Sequence, residues 1–206
     1  MLLVDRSLRE LLAAFASSDP TPGGGSAAAA AGAMGTALLA MVAGLPKTRN
    51  GSDVDRAALG VAVAALIGLR QQLTSAVDED TAAYDAVVGA YKLPKATEEE
   101  QAARKAAIQR ALHHATDVPL GVMRLSATAL THAAAIAAHG HRAAASDIGV
   151  AVALLNAAVH GARLNVEINL GGLSDANYKD ATGAEVTRLT QSAAEAAETA
   201  AKALAG

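Results

Sequence analysis

The sequence predicts an all-α fold, a single-domain antiparallel helical bundle around a buried Ala/Gly-rich central helix. Helix start and stop signals recur along the chain, whereas strand signals are nearly absent. Residues 27–45 run for 19 positions without a charge, dominated by Ala and Gly with a few Leu, Met, Val and Thr. Hydrophobic residues make up 52% of the chain but aromatics only 2%, so small side chains supply much of the apolar surface. Such residues bury little area each, so helices must approach closely and the core must be long. A fold of this kind gains stability readily by pairing with a second copy, and a homodimer is expected.

The elements follow in order. Ser7-Leu8-Arg9-Glu10 is a capping box ahead of Leu8, Leu11, Leu12 and Phe15. Pro20-Thr21-Pro22-Gly23-Gly24-Gly25-Ser26 then leads into the central helix, with Ser26 at the expected N-cap. Gly32 and Gly35 would let neighbouring helices pack closely against it. Pro46 to Ser52 forms a polar loop, and Asp53 can cap a long helix running to about Lys92, stopped by Leu93-Pro94. Thr97-Glu98-Glu99-Glu100 starts the next helix, acidic in its first turn as the macrodipole favours. Pro119 marks a start or a kink, and the helix after it should end near Gly140. Ser146-Asp147 can cap a helix to about Leu170, closed by Gly171-Gly172. Residues 184–204 form the last helix, with Glu185, Arg188, Gln191, Glu195 and Glu198 on its polar face. Nothing in this succession marks a boundary, so residues 1–206 read as one domain.

Composition excludes several classes. A net charge of −3 leaves no basic footprint for nucleic acid. Zero cysteines exclude disulfides and thiolate metal sites. The six histidines form no HExxH pair, and no metal is expected. The start Met1-Leu2-Leu3-Val4-Asp5-Arg6 lacks the features of a signal peptide, and a cytoplasmic location is expected. Residues 27–45 approach the roughly 20 needed to span a bilayer, but their small side chains read as a buried helix, and no membrane is expected. The glycine run lacks a P-loop lysine and no strand precedes it.

Two aspartates carry the chemistry. Residues two apart on a helix point roughly 200° from each other, so Asp78 and Asp80 cannot share a face. Asp80 shares its stripe with Leu73, Val77, Tyr84, Val87, Val88 and Tyr91, whereas Asp78 sits with Thr81, Ala82 and Asp85 and is expected at solvent or the rim. A carboxylate on an apolar face must be paired, protonated or functional. Asp80 is therefore either a general acid/base or an internal brace to another helix. The turn at Gly23, Gly24 and Gly25 likewise has two readings, a connection to a buried helix or a ligand contact through backbone N–H groups. Asn165 and Asn169 share a face and can serve a ligand edge or interhelical hydrogen bonds. Lys47 and Arg49 can meet carboxylates of a ligand or form a solvated loop.

Residues 20–45, PTPGGGSAAAAAGAMGTALLAMVAGL, resemble the signature of the cyclodeaminase/cyclohydrolase family of folate enzymes. That family comprises formimidoyltetrahydrofolate cyclodeaminases, often fused to a formiminotransferase, and stand-alone methenyltetrahydrofolate cyclohydrolases. Val77-Asp78-Glu79-Asp80-Thr81-Ala82-Ala83-Tyr84 with Ala90-Tyr91-Lys92-Leu93-Pro94-Lys95 resembles its second signature, whose second aspartate is the residue implicated in catalysis. It falls on Asp80, the position that periodicity also selects. Ala115-Thr116-Asp117-Val118-Pro119-Leu120 resembles a cyclohydrolase segment, and Ser146-Asp147 with residues 165–170 resembles the family's C-terminal pattern.

The resemblance implies a helical, dimeric enzyme acting on a tetrahydrofolate derivative, with or without a polyglutamate tail, and no cofactor beyond that substrate. Asp80 would move the proton, and the turn at Pro22, Gly23, Gly24, Gly25 and Ser26 would bind part of the folate. Asn165 and Asn169 would meet the pterin edge, and Lys47 and Arg49 the tail; their loop lacks the aromatic common in the family. The expected activity is formimidoyltetrahydrofolate cyclodeamination. The alternatives are the methenyltetrahydrofolate cyclohydrolase reaction and a non-catalytic folate-binding helical dimer.

Overall fold

The computed structural model describes residues 1–205 and is an antiparallel bundle of six α-helices with no strand among the described residues. The helices are α1 (Leu8–Phe15), α2 (Gly24–Ala43), α3 (Asp53–Tyr91), α4 (Glu98–His139), α5 (Ala145–Leu170) and α6 (Ala176–Ala205). Short 3-10 turns at Leu3–Asp5 and Arg142–Ala144 precede α1 and α5. One main core joins α2, α3, α4, α5 and α6, with Leu39, Leu66, Leu73, Met123, Leu130, Ile136 and Leu155 all fully buried in it.

Helix α2 packs against α3, α4 and α5. The close approach expected at its glycines is present. A Cβ on Gly32 would lie 2.9 Å from Ser126 Oγ, and one on Gly35 would lie 2.9 Å from both Ala151 O and Leu155 Cγ. The burial is three-sided rather than complete, because Met34 and Met41, one heptad apart, are 52% and 45% exposed. Four helices, α2 among them, are long and apolar enough to cross a membrane by length and composition.

Several boundaries differ from the expectations. The expected Ser7–Glu10 capping box forms, and Thr97 makes a second one with Glu100 at the start of α4. Helix α2, however, begins three residues early: Gly23 is its N-cap, and Ser26 lies inside the first turn. Ser52 rather than Asp53 caps α3, accepting from the Asp55 amide. Neither Ser146 nor Asp147 caps α5, which starts at Ala145 out of the 3-10 turn without a side-chain cap. Helix α6 starts eight residues before position 184, because Asp175 accepts from the Tyr178 amide at 3.0 Å and opens a turn there.

Pro119 neither starts nor ends a helix. Helix α4 runs through it for 42 residues. A proline has no N–H, so the carbonyl four residues earlier loses its helical partner. That carbonyl is Ala115 O, and Asn169 Nδ2 of α5 donates to it at 2.7 Å. The defect in one helix is filled by a side chain from the next.

The polar loop after α2 fastens to the far end of α4. Arg49 N donates to His139 O at 2.7 Å, and its guanidinium donates to Ala137 O and Ala138 O. Beside it, Asp55 is only 2% exposed and accepts from the Asn50 amide at 2.7 Å and from Thr48 Oγ1 at 3.2 Å, with His139 Nδ1 at 2.8 Å. The hydrogen bond with His139 leads the interactions that hold its carboxyl down at about 2.

Candidate active site

Helix α3 carries Asp80 to the N-terminus of α2, and the contact is made by backbone as much as by side chain. Ser26 N donates to Asp80 Oδ2 at 2.8 Å, and Ser26 Oγ donates to the same oxygen at 3.0 Å. Two donors therefore converge on one carboxyl oxygen, and Thr81 Oγ1 lies behind them at 3.3 Å from Ser26 Oγ. The glycines make this meeting possible by their missing side chains. None of Gly23, Gly24 or Gly25 has positive φ, which among the described residues occurs only at Gly51. What matters is that a Cβ on Gly25 would overlap the Asp80 carboxyl.

Burial pushes the Asp80 carboxyl above its ordinary value of 3.8, and the two bonds from Ser26 work in the opposite direction. The first turn of α2 contributes the same way, since the positive end of its dipole faces the carboxylate. A carboxyl raised by burial while hydrogen bonds stabilise its ionised form is in the kind of environment in which general acids and bases are found.

Asp80 opens onto a cavity of about 320 Å³. Pro20, Thr21, Gly23 and Gly24 form one wall, and Tyr84 and Val87 of α3 another. Ala115 of α4 with Asn165, Ile168 and Asn169 of α5 completes it. Both asparagines spend their Nδ2 on carbonyls, Asn165 on Gly161 O at 2.9 Å and Asn169 on Ala115 O. Their Oδ1 atoms have no partner among the described residues and are acceptors for a ligand edge. Tyr84 and Ile168 are 43% and 75% exposed and give the cavity mouth two apolar surfaces.

The structure thus brings together Asp80, Gly23, Gly24, Asn165 and Asn169 in one cavity, with Gly25 and Ser26 beneath the carboxyl and Pro22 in the adjoining turn. It does not bring Lys47 and Arg49 there. They follow the C-terminus of α2, whereas the cavity lies at its N-terminus, about 30 Å away for a 20-residue helix. Within this chain Lys47 is exposed, and Arg49 is occupied with the carbonyls that end α4.

Asp78 is also placed differently. It is half-buried rather than at the rim, and its carboxylate accepts from the amides of Leu3 and Val4, fastening the first 3-10 turn to α3. Tyr84 and Val87 lay on the Asp80 stripe in the sequence, but their role as cavity walls was hidden. Their face leaves the core after Val77, a change that apolar spacing alone does not signal. Ile168 and Ala115 gave no signal as wall residues, since each owes that position to packing between helices.

A family model described as formiminotransferase-cyclodeaminase matches residues 7–188. A methenyltetrahydrofolate cyclohydrolase of Methylorubrum extorquens is 42% identical over 176 residues, covering 85% of each chain. The formimidoyltransferase-cyclodeaminase of Rattus norvegicus is 35% identical over 93% of this chain, which spans about a third (35%) of that longer protein. The crystal structure of formiminotetrahydrofolate cyclodeaminase from Thermotoga maritima superposes with a TM-score of 0.86 at 29% identity, covering 98% of this chain and 96% of that one. Matched over most of its length by the family model and by these relatives, the chain belongs to the formiminotransferase-cyclodeaminase family.

Proposed function

We propose that this protein is a folate one-carbon enzyme in which the Asp80 carboxyl carries a proton between two nitrogens, or between water and a nitrogen, around a single carbon. The observation that carries this reading is one partly buried carboxyl, raised by burial and held by Ser26, opening onto a cavity with apolar walls and free amide oxygens. In cyclodeamination, N10 of 5-formimidoyltetrahydrofolate bonds to the formimidoyl carbon and gives up its proton. The formimidoyl nitrogen enters in its protonated =NH2+ form, takes up one more proton and leaves as ammonia, which yields the 5,10-methenyltetrahydrofolate cation. Asp80 as carboxylate accepts the first proton and as acid delivers the second. The backbone turn at Gly23–Gly25 and the Asn165 and Asn169 amides bind the pterin, and no other cofactor takes part.

The cyclohydrolase reaction is the second reading, favoured by the 42% identical relative matched over 85% of its length. There water bonds to the methenyl carbon and Asp80 takes one of its protons and passes it to N5 as the C–N5 bond opens; the remaining hydroxyl proton is released to solvent as the formyl C=O of 10-formyltetrahydrofolate forms. Incubation with each folate, followed by the methenyl absorbance, separates the readings. A rise from the formimidoyl substrate supports cyclodeamination, and a fall of added methenyl substrate supports hydrolysis. No change with either substrate overturns the enzymatic reading, and full turnover by a folded Asp80→Asn protein overturns the assignment of the proton to Asp80.

We further read the exposed stripe of Met34 and Met41 on α2 as the seat of a second copy, in a cytoplasmic homodimer without membrane or nucleic-acid partners. Met34→Glu should shift the mass measured by analytical ultracentrifugation from dimer to monomer. An unchanged mass would reject this face as the interface.

A further inference from the structure

We propose that Ser26 is the positioning residue of this reaction: its amide and hydroxyl together fix Asp80 Oδ2 as an acceptor, so that the exchangeable proton is carried by Oδ1. The inference rests on Asp80 being the proton carrier. A carboxyl has two oxygens of equal intrinsic basicity, and a proton on either would be equally stable in water. Here they differ. Oδ2 accepts from Ser26 N at 2.8 Å and from Ser26 Oγ at 3.0 Å, which uses both of its in-plane lone pairs. Oδ1 has no hydrogen-bond partner among the described residues. Since the Ser26 hydroxyl proton is committed to Asp80, Thr81 must donate to Ser26 Oγ, which orients that hydroxyl and strengthens its bond.

Ser26 is fully buried inside the first turn of α2, so its amide is an orphan helix donor whose direction is set by the helix axis. Its hydroxyl is fixed by the same backbone. Serine is unusual in a helix interior without a carbonyl partner within its own helix; here it turns outward from α2 to a carboxylate 54 residues away. The only titratable group besides Asp80 that lines the cavity is Tyr84; α2 and α5 present Gly23, Gly24, Asn165, Ile168 and Asn169, none of which titrates. Any change in the Asp80 titration on altering Ser26 therefore reports this contact.

The test is the pH profile of kcat for wild type, Ser26→Ala and Thr81→Val, beside a carboxyl carbon-13 NMR titration of Asp80 in each, with Asp80→Asn to assign the signal. Losing one hydrogen bond to a charged carboxylate should raise the Asp80 titration and the acid limb of kcat together by about one pH unit in Ser26→Ala. Turnover at the optimum should fall about tenfold with KM little changed. Thr81→Val, which keeps both bonds but removes their support, should move both curves the same way by less. If Ser26→Ala lowers activity evenly at every pH while the carboxyl titration stays put, Ser26 only packs and the assignment is wrong. If the carboxyl titration moves but the kcat profile does not, Asp80 titrates without carrying the proton, and both assignments fall.

Discussion

Gly25 and Asp80 touch backbone to carboxyl: a Cβ at position 25 would place Asp80 Oδ2 at 2.7 Å and Oδ1 nearer still, so the carboxyl occupies the space a side chain would fill. The carboxyl cannot move aside without giving up the two bonds that hold its Oδ2 to Ser26.

Gly25→Ala should therefore act on turnover far more than on folding. Alanine is the better helix former, and the position lies within α2 with negative φ. The displaced carboxyl would lose its bonds to Ser26, and kcat should drop about a hundredfold, as for a misplaced catalytic group. Steady-state kinetics beside a thermal melt checks this; unchanged kcat in a folded protein would contradict the contact.

Asp80 should weaken the fold at neutral pH. Its folded value is raised above the 3.8 of the free carboxyl. Between those values the folded state binds more protons than the unfolded one, so stability falls as pH rises through that window. Asp80→Asn removes the titration. Its Tm relative to wild type should be higher at pH 7 than at pH 3. An advantage independent of pH would show that burial does not disfavour the ionised carboxyl.

The opposite sign holds at Asp55. Its folded value is lowered to about 2 by the hydrogen bond with His139, the Asn50 amide and the Thr48 and Ser52 hydroxyls. Stability from this group is fully present above 3.8 and is lost as pH falls toward about 2. Asp55→Ala should lower Tm at pH 7 by several degrees while leaving the Asp80 cavity, at the other end of α2, kinetically intact. Acid melts should converge for the two proteins near pH 2.

Asn169 and Pro119 should be energetically coupled. Asn169→Leu leaves the Ala115 carbonyl without a donor, at a cost of about 1–3 kcal/mol. Pro119→Ala restores the missing amide to that carbonyl, so the same Asn169 change should cost about 1 kcal/mol less in the Pro119→Ala background. Denaturant unfolding of the four proteins measures the difference. Strict additivity would show that Asn169 does not serve this carbonyl.

What was legible in the sequence divides by the range of the interaction. Ser7–Glu10 is complete within four residues and forms the capping box expected of it, and Thr97–Glu100, equally local, opens a helix where one was expected. Asp80 emerged from helical periodicity, a property of α3 alone. Asp78 was misplaced because its partners, Leu3 and Val4, lie 75 and 74 residues away. Ser26 looked like a cap because its true acceptor lies on α3. Lys47 and Arg49 follow the Gly-rich helix in sequence, but its length carries them to the opposite end. Pro119 reads as a start or a kink because the donor that repairs the ladder stands on α5.

That repair gives α4 and α5 a fixed alignment. Apolar ridges of alanine and leucine are nearly alike from turn to turn, so two such helices slide past one another with little to choose between settings. An unpaired carbonyl occurs at one position only, and one amide on α5 matches it. A slip of a single turn would strand both groups in the interior. The proline thus acts as an index mark on an otherwise repetitive surface, setting the distance at which Asn165 and Ile168 face Asp80 across the cavity.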